Sequence, residues 1–221
     1  MQRLFLCLAL LFASPLFANS KSLFVNGVYA ATYGDIGWDQ GDWRDNNYSA
    51  FRLKAGLQLL RIDFVSLTLG YQKVGFYTAI HKWDGDTKLA FDYRGPLLEV
   101  HLFPESLIGF SAAGFWGSGY SFMNTPSQYS AQARAACTGA NGCTIESERS
   151  SLSVSEYTAY VTVKVARGLQ LFAGAGSRNV TGDPEYDFRR GQGNVREKFG
   201  DAGKWKESSG LLLLGLRGTT L

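Results

Sequence analysis

The amino-acid sequence predicts an all-β protein, an eight-stranded antiparallel up-and-down transmembrane β-barrel. Three observations predict it. Apolar residues recur at every second position through eight segments, long helical periodicity is absent, and the connections alternate between short and long. Composition agrees. With 45% hydrophobic and 14% aromatic residues the chain is too apolar to be disordered, and its 26 Gly carry no collagen period. A charged content of 19% is too low for a coiled coil, and a net charge of +3 without any basic run gives no reason to expect a nucleic-acid partner.

Residues 1–18 read as a cleaved secretory signal peptide, leaving 19–221 as the barrel. Gln2 and Arg3 form a short positive start, Leu4 to Phe12 an apolar core, and Ala13-Ser14-Pro15-Leu16-Phe17-Ala18 a small-residue exit. Cys7 leaves with it. No later segment approaches the roughly 18 consecutive apolar residues of a spanning helix.

The strand segments are read at 23–33, 50–60, 64–76, 89–102, 107–121, 153–165, 169–177 and 208–217. Each has about the 9–11 residues that a tilted strand needs to cross a bilayer, or somewhat more. The second sets Phe51, Leu53, Ala55, Leu57 and Leu59 against Arg52, Lys54, Gly56 and Gln58. The third sets Val65, Leu67, Leu69 and Tyr71 against Ser66, Thr68, Gly70 and Gln72. In the sixth, Tyr157, Ala159, Val161, Val163 and Val165 oppose Glu156, Thr158, Tyr160, Thr162 and Lys164. The fourth breaks phase. Leu98, Val100 and Leu102 are out of step with Phe91 and Tyr93, and Gly95-Pro96 between them suggests a bulge, because Pro cannot donate to a ladder.

Connections Arg61-Ile62-Asp63, Phe103-Pro104-Glu105-Ser106 and Ala166-Arg167-Gly168 are short, whereas 34–49, 79–88, 122–152 and 178–207 are long and polar. Short turns at one end and long loops at the other are the layout of a bacterial outer-membrane barrel. In this the chain resembles the small eight-stranded outer-membrane barrels of the OmpA and OmpX type, across residues 19–221 and by architecture rather than by a short motif. The resemblance implies residence in the outer membrane of a Gram-negative bacterium and handling by the barrel-assembly machinery. It also implies contact with outer-membrane lipid and lipopolysaccharide, and a monomer. Such chains usually end in an aromatic residue, whereas this one ends Gly218-Thr219-Thr220-Leu221, and no peptidoglycan-binding module is recognised after the barrel.

The same alternation fits a secreted lipocalin-like barrel with its apolar face inward. Aromatic residues near strand ends (Tyr29, Tyr33, Tyr71, Tyr93, Trp116 and Tyr157), placed as interfacial girdles, and the alternating loop lengths favour the membrane form.

If the apolar faces meet lipid, the lumen receives Arg52, Lys54, Asp92, Arg94, Glu99, His101, Glu156, Lys164 and Arg217. An eight-stranded barrel is only wide enough for side chains to fill it. Buried charges must pair, so interstrand ion pairs are expected, with Glu99 and Glu156 as the central acceptors. Cys137 and Cys143, enclosing Thr-Gly-Ala-Asn-Gly, suggest a disulfide closing a small loop away from the barrel.

Chemistry beyond this is thinly signalled. The two histidines are His81, opening a turn at Asp84-Gly85, and His101, near Glu99 and Ser106. Neither spacing forces a nucleophile–base pair, so no catalytic residue is assigned. The first connection carries Asp35, Asp39, Asp42 and Asp45 with Trp38 and Trp43, a spacing that does not match a calcium loop. The fourth mixes Arg189, Arg190, Arg196, Lys198, Lys204 and Lys206 with Asp183, Glu185, Asp187, Glu197 and Asp201, as solvated loops do. No metal and no cofactor are expected. The expected role is structural or surface-interacting, with a lipid A-modifying hydrolase and a narrow channel as alternatives.

Overall fold

A computed structural model describes residues 23–25, 28–43, 46–62, 64–82, 85–104, 106–124, 131–138, 143–190, 193–198 and 203–219. Residues 1–18, read from the sequence as a signal peptide, lie outside them. The strands are β1 (Leu23–Val25), β2 (Val28–Trp43), β3 (Asn46–Ile62), β4 (Val65–Lys82), β5 (Gly85–Leu102), β6 (Ile108–Met123), β7 (Cys143–Ala166), β8 (Leu169–Arg190), β9 (Gly193–Lys198) and β10 (Trp205–Thr219). Among the described residues a helix, α1 (Ala131–Thr138), precedes β7.

Each of β2 to β8 pairs antiparallel with the next, β8 pairs with β10, and β10 pairs back onto β2. Eight strands thus form a closed ring, while β1 folds onto the start of β2 and β9 onto the end of β8. Closure removes the sheet edge and satisfies the ladder groups within the chain, which a spanning structure requires.

The outer surface is inverted relative to a soluble barrel. Leu57, Leu69, Val100, Phe110, Val163, Leu171, Leu214 and Leu216 are all exposed, Leu214 by 58%, while the opposite faces of these strands bury Arg52, Glu99, Glu156 and Arg217. A continuous apolar belt of this kind, with charge inside it, belongs against hydrocarbon. On β7 the belt runs from Tyr157 to Val165, which at about 3.3 Å per residue and a tilt of about 40° is close to the ~25 Å apolar band of such barrels. Trp116 and Tyr157, both half-exposed and edge-on with centroids 6.2 Å apart, stand at its upper rim.

Above that rim the pattern reverses. Phe91 and Tyr93 on β5, Leu152 and Val154 on β7, and Val180, Tyr186 and Phe188 on β8 are buried, while Arg94, Ser153 and Asn179 on the alternate faces are exposed. Outside the bilayer water is again the solvent, so apolar residues turn inward and polar ones outward. This explains the phase break in β5. No bulge exists at Gly95-Pro96: Gln72 faces Gly95, Tyr71 faces Pro96, and Arg94–Ser118 and Leu97–Phe115 keep one register. The strand leaves the membrane there, and its inward face stays odd-numbered from Phe91 to His101. Gly95 lies directly against the β6 backbone at Trp116 and Gly117. A Cβ on it would lie 2.1 Å from the Trp116 carbonyl oxygen. Tyr93, read from the sequence as a girdle residue, is therefore a lumen residue.

The long polar connections are also largely strand. β2 and β3 stay paired up to Trp43–Asn46, and β4 and β5 up to Lys82–Gly85, so the regions around Asp39 and His81 continue the barrel wall. β7 has 24 residues and β8 has 22, twice what the bilayer needs. Within 122–152 and 178–207, α1, the start of β7, the end of β8 and β9 replace irregular loop.

Cys137 and Cys143 are bonded, with Cα atoms 5.3 Å apart. They are not remote from the barrel. Both pack with Ala133, Ala136 and Ile145 against buried Tyr186 and Phe188, forming a small second core that ties α1 to the extended strands. Closing so short a loop stabilises by about 2 kcal/mol at most, and only locally. Reduction should therefore expose Cys137 and speed hydrogen exchange in α1, leaving the membrane strands unchanged. Thiol labelling of unreduced, denatured protein checks the bond itself, and two free thiols there would refute it.

Candidate functional site

The inward faces of the membrane strands assemble two carboxylate-centred clusters stacked along the barrel axis. Strand alternation sets the stacking, because Arg52 and Lys54 are successive inward residues of β3 and each serves a different cluster.

The lower cluster, near the short turns, centres on Glu99. Arg217 donates from Nη2 to Glu99 Oε1 at 2.6 Å, and Lys54 Nζ stands 3.7 Å from Oε2. The Tyr160 hydroxyl donates to Glu99 and accepts from Arg217 (3.0 Å) and Lys54 (3.2 Å). Both cations also lie over the Tyr160 ring, at 5.3 and 4.7 Å from its centroid. His101 Nδ1 faces three groups at once: Arg217 Nη1 at 2.7 Å, Ser111 Oγ at 2.7 Å and Glu99 Oε1 at 3.4 Å.

The upper cluster repeats the logic around Glu156. Arg52 and Gln72 each donate to its Oε2 at 2.8 Å, and the Tyr93 hydroxyl donates to Oε1 at 2.5 Å. Tyr93 in turn accepts from Arg178 Nη1 at 3.3 Å, while Arg178 Nη2 donates to Ser209 at 3.2 Å and its guanidinium lies 5.7 Å from the Phe91 ring centre. In both clusters a tyrosine hydroxyl relays between carboxylate and cation, so each carboxylate accepts from several side-chain donors. Arg52, Arg178 and Arg217 are among the largest fully buried side chains described. Charge at this depth is tolerated only when paired and hydrogen-bonded.

Of the nine lumen residues expected from the sequence, the structure brings together Arg52, Lys54, Glu99, His101, Glu156 and Arg217. Lys164 points inward at the short-turn end and is half-exposed. Asp92 and Arg94 are corrections: they lie on the outer face at the membrane rim, where Asp92 pairs with Lys73 at 2.9 Å. The reason is the unbroken phase of β5, which sends Phe91 and Tyr93 inward in their place. Sequence reasoning missed Arg178, placing it in the fourth connection, and gave Gln72 and Tyr93 no part. The period of two running through Ser177-Arg178-Asn179-Val180 was the available signal.

Ser111, His101 and Glu99 are the residue types of a hydrolytic triad, but their geometry differs from one. A relay needs the nucleophile on one ring nitrogen and the acid on the other, whereas Ser111 and Glu99 both face Nδ1. The trio is buried at the short-turn end. The His81 side chain lies outside the described residues, and the described residues contain no group of three or more metal-ligating side chains.

Outside the membrane, the mixed charges of the fourth connection are ordered rather than loose. Asp187 accepts from Arg196 Nε and Ser147 Oγ, each at 2.8 Å, and Arg190–Glu197 and Lys198–Glu185 are each paired at 2.8 Å. Partial burial pushes the Asp187 carboxyl up, but the hydrogen bonds from Arg196 and Ser147 and the charges of Arg196 and Arg149 outweigh it. Its pKa is held below the ordinary 3.8. A carboxylate with a depressed folded pKa gives stability that is present above its unfolded value and lost as pH falls through the folded one. The pairing of β8 with β9 should therefore loosen as pH drops below about 4, read as faster amide exchange at residues 186–190, while the membrane strands hold. The effect is small, since Arg196 and Arg149 are more than half exposed.

No protein-family profile matches the chain, and no curated protein is significantly similar to it. Among solved structures, Neisserial surface protein A superposes with a TM-score of 0.43 at 13% identity, over 86% of this chain and 96% of that one. Ail, the attachment invasion locus protein of Yersinia pestis, in complex with the heparin analogue sucrose octasulfate, gives 0.44 at 11%, over 87% and 98%. The N-terminal β-barrel domain of Pseudomonas aeruginosa OprF gives 0.38 at 11%, over 85% and 96%. At these values the likenesses carry nothing about activity, and the barrel assignment rests on the closed strand pairing itself.

Proposed function

We propose that this chain is exported by its amino-terminal signal to the outer membrane and serves there as a structural, surface-presenting barrel rather than as a pore. The observation that carries this reading is the double ion cluster. Arg52, Glu156, Arg178 and Tyr93 close the lumen at one level, and Arg217, Glu99, Lys54 and Tyr160 at another, each drawing on at least four different strands. Phe115 and Leu211 fill the lumen beside the upper cluster, and Phe91, Val154 and Val180 continue the buried core above it. A plugged interior leaves the outward-projecting strands, α1 and β9 as the parts that can meet partners.

Two measurements test the reading. Closed barrels satisfy their backbone internally and resist detergent until heated, so boiled and unboiled samples should migrate differently on a denaturing gel. In a planar bilayer the wild-type protein should show no large steady conductance. Identical migration together with recovery in the soluble periplasmic fraction would overturn the membrane placement, and a large steady conductance would overturn the filled lumen.

A further inference from the structure

On the outer wall, just above the apolar belt, adjacent strands line up two rows of residues. Phe51, Gly75, Asp92 and Tyr120 are successive register partners across β3, β4, β5 and β6, and Leu53, Lys73 and Arg94 form the next row down. The upper row, with Leu53 and Lys73, frames a groove of about 430 Å³ lined by Phe51, Leu53, Lys73, Gly75, Asp92 and Tyr120, in which Lys73 pairs with Asp92 at 2.9 Å; Arg94 is the register neighbour of Lys73 at its edge. Gly75 opens it, since a Cβ there would meet nothing nearer than Asp92 Oδ2 at 3.6 Å. The Lys73 side chain is 52% exposed, Arg94 is exposed beside it, and the Tyr120 ring is 62% exposed.

The chemistry of these groups is specific. Two cations at the level where acyl chains end and headgroups begin suit a phosphate. Asp92 would repel a simple phosphodiester but accepts hydrogen bonds from hydroxyls, so the pair Lys73–Asp92 suits a sugar that carries a phosphate. The exposed Tyr120 ring offers a flat amphipathic face for a sugar, and Phe51 and Leu53, with the space over Gly75, continue the lipid-facing belt upward as a bed for a chain. We propose that this groove binds a phosphorylated, acylated sugar lipid of the outer leaflet: Lys73 and Arg94 on the phosphate, Asp92 on hydroxyls, Tyr120 against the ring, and Phe51 beside an acyl chain. The site rests on the membrane placement proposed above.

Native mass spectrometry of the detergent-solubilised protein tests it, with diphosphoryl lipid A, its dephosphorylated form and phosphatidylglycerol as probes. Diphosphoryl lipid A should be retained about tenfold more tightly than the other two, the worth of one charge-assisted contact. The double substitution Lys73→Gln, Arg94→Gln should erase the preference for phosphate. Gly75→Trp, filling the groove, should weaken both sugar lipids. Equal retention of phosphatidylglycerol, or a double variant that keeps the preference, would overturn the site. If the double variant fails to fold, the comparison of the two lipid A forms on the wild-type protein decides. The same samples are run unheated on a gel. A wild type without a folded band refutes the membrane placement, whereas a folded wild type that holds none of the lipids refutes the groove alone.

Discussion

Glu156→Ala should be the most damaging single change in the lumen. It removes the carboxylate to which Arg52, Gln72 and Tyr93 all donate, and leaves Arg52 and Arg178 buried without that counter-charge. Removing one partner of a buried ion pair costs about 3–5 kcal/mol, because the remaining charge cannot return to water. For a chain of this size that corresponds to a drop of about 10 °C in the temperature at which the folded band converts to the unfolded one. Flickering conductance should appear in planar bilayers as water enters to solvate the guanidinium groups. Glu156→Gln, which keeps an acceptor oxygen and the side-chain volume, should fall between the two. A Glu156→Ala protein as heat-resistant as wild type would show that the cluster contributes nothing to closure.

The second large effect concerns the outer wall. Val161 faces outward at the middle of the apolar belt on β7, and Ser153 faces outward on the same strand above it. An arginine at the bilayer midplane destabilises a barrel by about 2–4 kcal/mol, against ~0–1 near the interface. Val161→Arg should therefore lower the urea midpoint of refolding into lipid vesicles sharply, while Ser153→Arg should leave it nearly unchanged. Equal effects at the two positions would mean that the belt does not face hydrocarbon.

Much of the barrel was legible in the chain because the membrane portion obeys one rule, apolar outward and polar inward, with a period of two. Segments such as Phe51 to Leu59 and Tyr157 to Val165 therefore showed themselves directly. Reading failed where that rule reverses. Phe91 and Tyr93 are out of phase with Leu98 only because their solvent changes, so alternation alone suggests a bulge where a boundary stands. The same reversal turned the upper half of β8 into an apparent loop: Ser177, Asn179, Thr181 and Asp183 supply its outer face, and the inward Val180, Tyr186 and Phe188 sit at the other parity. Arg178, the first inward charge past the rim of that strand, was lost with it. Asp92 and Arg94 escape the rule for the complementary reason: a charge in a lipid-facing strand points inward within the belt, whereas at the rim it points out to the headgroups. The partners of Glu99 and Glu156 followed from pairing across strands, which alternation alone leaves open.

The extension of β7 and β8 past the bilayer reaches roughly 30 Å from the rim, judged from strand rise and tilt. Its consequence lies in how this protein can vary. A surface loop accepts insertions of any length, and the outward parts of such barrels change fastest that way. Here the outward part is a ladder. One residue added to β7 between Ser147 and Leu152 would flip every inward side chain above it or force a new bulge. Length changes are thus admitted in even steps, matched on the neighbouring strand, or confined to the hairpin tips and the stretch around α1. Homologues should differ in substitutions along the outward polar face while holding the length of the wall, with insertions gathered between the paired strand ends around residues 44–45, 83–84, 125–142 and 191–192.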